Sequence, residues 1–131
     1  MIYELVTNKI FLAALLGSLS AQVLKILLLI YKERQFSFKL ILRRASMPSA
    51  HSATVAALTT ALYLDQGFTP LTITMLFISA IIIRDLIDIN LGIPEKEKIK
   101  RVKAPIHTPL EITFGILLGI AVTLAIFGFP L

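Results

Sequence analysis

Residues 10–31 read Ile-Phe-Leu-Ala-Ala-Leu-Leu-Gly-Ser-Leu-Ser-Ala-Gln-Val-Leu-Lys-Ile-Leu-Leu-Leu-Ile-Tyr. The run is apolar apart from Ser18, Ser20, Gln22 and Lys25, and Lys25 is its only charge. It has the length of about 20 residues that a helix needs to cross a hydrocarbon core. Three further segments follow. Residues 48–64 are shorter and rich in Ala and Thr; residues 71–91 are strongly apolar but hold Arg84, Asp85 and Asp88; residues 109–131 are apolar after Glu111. The β-branched content of 71–91 suits a strand, yet its length and lack of alternation favour a helix. The expectation is an all-α integral membrane protein: a single domain over 1–131, built as a bundle of four transmembrane helices.

Composition agrees. Of 131 residues 56% are hydrophobic and 16% charged, against about 25% charged in an ordinary soluble domain. The net charge of +5 does not point to nucleic acid, because a nucleic-acid-binding domain is not this apolar. The chain has no Cys and two His. Disulfide scaffolds, thiolate metal sites, Cys nucleophiles and His-rich metal sites are therefore excluded.

The basic residues are placed unevenly. Loop 32–47 carries Lys32, Arg34, Lys39, Arg43 and Arg44; loop 92–107 carries Lys96, Lys98, Lys100, Arg101 and Lys103. Four passes put both loops on one side, and the positive-inside rule makes that side cytoplasmic, with both termini on the other.

Both histidines fall at helix starts on that cytoplasmic side. His51 lies in Met47-Pro48-Ser49-Ala50-His51-Ser52, where Pro48 is expected as the first helical residue. His107 lies in His107-Thr108-Pro109-Leu110-Glu111, with Thr108 the expected N-cap and Pro109 the first helical residue. Two positive helix ends beside many Lys and Arg side chains make a site for an anion, and phosphate suits it best.

Pro48-Ser49-Ala50-His51 resembles the Pro-Ser-Gly-His motif of the type 2 phosphatidic acid phosphatase and vanadium haloperoxidase superfamily, and His107-x3-Glu111 resembles its His-x3-Asp motif. Ala21-Gln22-Val23-Leu24-Lys25, Met47–Ser52 and His107–Glu111 are together similar to its small divergent membrane branch, in order and spacing along nearly the whole chain. The resemblance implies two-step phosphoryl transfer. His107 attacks phosphorus and forms a phosphohistidine, Glu111 orients it, and His51 protonates the leaving oxygen and then activates water. Ser49 and nearby amides hold phosphate oxygens, and Lys25 with an Arg neutralises them. No metal or other cofactor is implied. The substrate is a membrane lipid with an anionic phosphate or pyrophosphate headgroup, met at the cytoplasmic leaflet of a prokaryotic cell membrane.

The sequence departs from the superfamily at several points. Lys25-x6 arrives at Lys32 without the Arg-Pro of the first motif, and Lys100-Arg101-x5-His107 keeps an Arg but lacks the Ser before it. The paired Arg that the divergent branch often carries after its third helix is replaced by Asp88-Ile89-Asn90-Leu91-Gly92. The phosphate-binding Arg is thus open among Arg43, Arg44, Arg84 and Arg101.

Plainer readings stand beside these. Thr108-x-x-Glu111 is a capping box without any catalysis, and Lys25 has the reach to snorkel to the interface. Arg84, Asp85 and Asp88 are expected as a buried cluster near the cytoplasmic end of their helix, bracing the site as a structural pair or acting in it directly. Gly115-x3-Gly119 and the Ala53, Ala56, Ala57, Ala61 face suit close helix contacts, within the monomer in the favoured reading. The alternative is a homodimer, which would supply walls that four helices lack relative to the superfamily core. Against the enzyme stand a non-enzymatic membrane protein (transporter protomer or assembly factor) and an anionic-lipid binder with a decayed site.

Overall fold

A computed structural model describes residues 2–34, 47–91 and 108–128, and every element among them is helical. Helix α1 is Ile2–Thr7, α2 is Lys9–Glu33, α3 is Ala50–Gln66, α4 is Pro70–Leu91 and α5 is Pro109–Gly128. Helices α2, α4 and α5 contain stretches long and apolar enough to cross a membrane: Lys9–Lys32, Pro70–Ile87 and Pro109–Gly128. Helix α3 has 17 residues, a rise of about 25 Å, and sits at the centre with α2, α4 and α5 all packed against it.

The helix ends follow from local chemistry. Asn8 caps α2, its Oδ1 accepting from the amides of Ile10 (2.9 Å) and Phe11 (3.0 Å). Arg34, in left-handed conformation at φ 51°, closes the other end with its N–H on the Ile30 carbonyl. Helix α3 stops at Gly67, whose φ of 70° suits glycine. Pro70 then opens α4 after a turn of three residues, 67–69, and Thr69 Oγ1 accepts from the Thr72 amide. One expectation needs correcting here. Pro48 is not the first helical residue: Ser49 is the N-cap, extended at φ −72° and ψ 116°, with its Oγ accepting from the Ser52 amide. Ser is a strong N-cap and takes that position one residue after the proline.

Small residues at every fourth position hold the bundle together. Along α2 the buried line is Ala13, Gly17, Ala21, Lys25 and Leu29; along α3 it is Ser49, Ala53, Ala57 and Ala61; along α5 it is Gly115, Gly119 and Thr123. Gly115 approaches the Ser49 carbonyl and Ser52 Oγ so closely that a Cβ there has no room, and Gly119 does the same against the Ala53 carbonyl. Thr123 Oγ1 donates to the Ala57 carbonyl (3.2 Å) and the Gly119 carbonyl (2.9 Å). Helices α3 and α5 therefore run parallel, with 49, 53 and 57 beside 115, 119 and 123. A Cβ on Gly17 would lie 2.8 Å from that of Ala57, and Lys9 Nζ stands 5.6 Å from the Phe127 ring centre, so α2 runs antiparallel to both. In lipid, where apolar side chains gain little by hiding, such close backbone approach supplies the packing energy. Gly115-x3-Gly119 thus serves packing within the chain.

Helix α4 is held more lightly. It buries Thr72 and Ser79, and Ser79 Oγ pairs with Thr59 Oγ1 of α3 at 2.8 Å. Beside that contact lies a cavity of about 260 Å³ lined by Thr59, Thr60, Tyr63, Phe68, Thr72, Ile73 and Leu76.

Candidate functional site

Lys25 ends the small-residue line of α2. Gly17 lies level with Ala57, so two turns further along α2 brings Lys25 level with Ser49, eight residues back along antiparallel α3. The residue is 7% exposed, and the carboxylate of Glu111 acts on its ammonium electrostatically. A lysine buried in such a place needs anionic company.

Ser49 is fully buried at the start of α3. Its N–H donates to the Glu111 carbonyl at 3.1 Å, tying the cap of α3 to the first turn of α5. Its carbonyl accepts from the Ala53 amide (3.1 Å) and from Ser52 Oγ (3.1 Å). Ser52 is itself fully buried and closes the contact with Gly115. Sequence reasoning passed over Ser52 and the Ala13–Gly17–Ala21 line; the spacing of four running into Lys25 is the signal that finds the line.

Glu111 completes the expected capping box. Its Oε2 accepts from the Thr108 amide (3.1 Å), and its own amide donates to Thr108 Oγ1 (3.3 Å). His51, the second residue of α3, is exposed at the same end of the bundle. The amides of Ala50 and His51 have no carbonyl one turn back within the helix, as at every helix start.

Three segments distant in sequence thus meet: Lys25 of α2, the Ser49–His51 start of α3, and Glu111 in the first turn of α5. The positive ends of two parallel helices and a buried ammonium converge there, which is the electrostatics of an oxyanion site. Among the described residues, no group of three or more His, Cys, Asp and Glu side chains is arranged to hold a metal ion.

The remaining candidates are not gathered here. Arg84 and Asp85 are exposed on α4, which corrects the expectation of a buried cluster; α4 turns its hydroxyl line, Thr72 and Ser79, toward α3 and leaves these charges on its outer side. The backbone of Asp88 belongs to α4, but its side chain lies outside the described residues. His107, Arg43, Arg44 and Arg101 also lie outside the described residues.

The sequence matches the profile described as the Divergent PAP2 family over residues 6–122. It is also 30% identical to YuiD, an uncharacterized membrane protein of Bacillus subtilis (strain 168), with 94% of this chain and 96% of that protein covered. No solved structure matches the chain. The matched membrane protein and the three long apolar helices together make this an integral membrane protein in a lipid bilayer.

Proposed function

The chain belongs to the divergent PAP2 family, and from that premise we propose that it is a membrane phosphatase. Its substrate is a lipid phosphate or lipid pyrophosphate, hydrolysed at the cytoplasmic leaflet of a prokaryotic cell membrane through a phosphohistidine intermediate. The observation that carries this reading is the convergence of Lys25, Ser49 and Glu111 from three separate helices at two helix N-termini. In this reading α3 crosses the membrane with the three longer helices, and both termini lie on the non-cytoplasmic side.

The phosphoryl group sits at the α3 start. Lys25 and the first-turn amides of α3 neutralise its oxygens, and Ser49 keeps that turn in place. His107 attacks phosphorus; the bond to the lipid oxygen breaks as His51 delivers a proton to it. Water, deprotonated by His51, then displaces His107 and releases phosphate. Glu111 accepts a hydrogen bond from the other nitrogen of His107 and so fixes its tautomer. Acid–base assistance of this kind contributes about 10²–10⁴ in rate, and fixed positive donors stabilise the charge that develops on phosphorus oxygens. The basic residues of 92–107 and Arg43 and Arg44 serve as further contacts to the headgroup.

A panel of long-chain lipid phosphates and pyrophosphates, offered to the purified protein in mixed micelles, tests the proposal. Phosphate release is expected from the wild type, and none from His107→Ala or His51→Ala while their helical content stays unchanged. In the wild type, radiolabelled phosphate should be trapped on His107 by rapid quenching in alkali, and His107→Ala should carry none. Tight headgroup binding without any turnover by the wild type would instead make the protein a lipid binder.

A further inference from the structure

Gln22 is the only Asn or Gln in the apolar span Lys9–Lys32, and it is exposed. The residues before it on the same side of α2 are apolar and turned outward: Leu19 is 49% exposed and Leu15 42%. Polar side chains at membrane depth are expensive to place and mark functional positions. The amide of Gln22 offers two donors and an acceptor there.

Register fixes where Gln22 stands relative to the candidate site. Three residues separate it from Lys25, a rise of about 4.5 Å and a rotation of roughly 60°. Gly17 lies against Ala57 in an antiparallel pair, which puts Gln22 level with Ser52, the residue after His51. His51 is exposed as well. Gln22 is therefore nearly one turn deeper in the bilayer than Lys25, at the level of His51.

In the proposed function the phosphoryl group sits at the α3 start, and the hydrocarbon of the lipid runs toward the bilayer centre. The part of such a substrate about 4.5 Å deeper than Lys25 is the linkage between phosphate and chains. In a glycerolipid that linkage carries ester carbonyls, a few bonds beyond the phosphate oxygen. In a prenyl phosphate it is carbon and hydrogen alone. An amide N–H matches the first and finds no acceptor in the second. A second phosphate at this depth would call for a charged donor, as the first does.

We propose that Gln22 is a specificity-determining residue, whose side-chain amide donates to an ester carbonyl of a glycerolipid phosphate. The orientation of the lipid rests on the phosphatase reading. The ester is remote from phosphorus and keeps its charge throughout the reaction. Its bond to Gln22 is thus equally strong in the ground and transition states, and it lowers KM while leaving kcat unchanged.

Two lipids that differ in one kind of group test this: a diacylglycerol phosphate and its dialkyl ether analogue with equal chains. The ether keeps phosphate and glycerol and lacks both carbonyls. Offered to the full chain in mixed micelles, the ester should show a KM about fivefold lower, the worth of one neutral hydrogen bond, at equal kcat. Gln22→Met, apolar and close in size, should raise KM for the ester to that for the ether and leave the ether as it was. A wild type without ester preference, or a Gln22→Met protein that keeps it, overturns the proposal. So does an equal loss toward both lipids, which would mark a packing role. If the wild type releases phosphate from neither lipid, the phosphatase reading fails by itself, and the two lipids then compete for the protein in native mass spectrometry. Preferential retention of the ester by the wild type, and not by Gln22→Met, would uphold the Gln22 contact; equal retention would overturn it.

Discussion

Helix α5 meets α3 through backbone, with Gly115 and Gly119 pressed on the Ser49 and Ala53 carbonyls. Helix α4 meets the same α3 by a hydroxyl pair, Thr59 with Ser79, beside a cavity of about 260 Å³. The first contact leaves no room for a methyl group; the second leaves room for several. Close backbone approach multiplies short-range contacts and fixes two helices in one register, whereas a lone hydrogen bond between membrane helices contributes about 0.6 kcal/mol. The candidate site lies on the tightly packed side, where α2, α3 and α5 share small-residue lines. Groups that must neutralise a phosphate have to be held in position before it arrives, and a rigid seam does that.

The strongest way to break this comparison is to put a side chain into the seam. Gly119→Leu should destabilise the protein by about 3 kcal/mol or more, read as a lower midpoint of thermal unfolding in detergent. Gly128→Leu, at a position with nothing within 4 Å, should leave the midpoint unchanged. Equal tolerance at both glycines would show that the seam is not tight.

Next in size is a chemical effect. Lys25→Met keeps the volume and the apolar stem of the side chain, so the helices should still pack, and the Glu111 carboxylate keeps its bond from the Thr108 amide. Phosphate release should nevertheless fall by about 10²–10³-fold, the usual loss on removing one preorganised donor. Unchanged turnover would remove Lys25 from the site.

The smallest effect belongs to the lighter contact. Thr59→Val should cost about 0.6 kcal/mol, and Ser79→Ala should leave phosphate release as it is. A loss from Thr59→Val as large as that from Gly119→Leu would mean that α4 is bound as firmly as α5, and the contrast would disappear.

What was legible in the sequence follows the same division. The helices reveal themselves by run length, because an apolar stretch of about 20 residues has few other uses. The Thr108–Glu111 capping box is equally plain, since it depends on residues three apart in one turn. The start expected for α3 at Pro48 is two residues early because Pro48 and Ser49 both signal a helix start, and only the backbone shows that Ser49 is the cap. That Lys25 lies level with Ser49 could not be read in advance: it depends on the register between helices, which Gly17 sets by its fit against Ala57. The outward direction of Arg84 and Asp85 was hidden for another reason. In a soluble helix Phe77 and Ile81 would mark the inner face, but in lipid the apolar side faces out. Thr72 and Ser79 turn inward, where their hydroxyls find partners.

The hydrogen bond from the Ser49 amide to the Glu111 carbonyl joins the two halves of the site at the level of the main chain. No side-chain substitution short of proline at 49 removes its donor, and nothing can slide the first turn of α5 without dragging the cap of α3. The first turn of α5, which holds Glu111, therefore steers the α3 turn as well as its own helix. Any molecule that pulls on that segment retunes both ends of the site in a single movement, like one hand turning two taps.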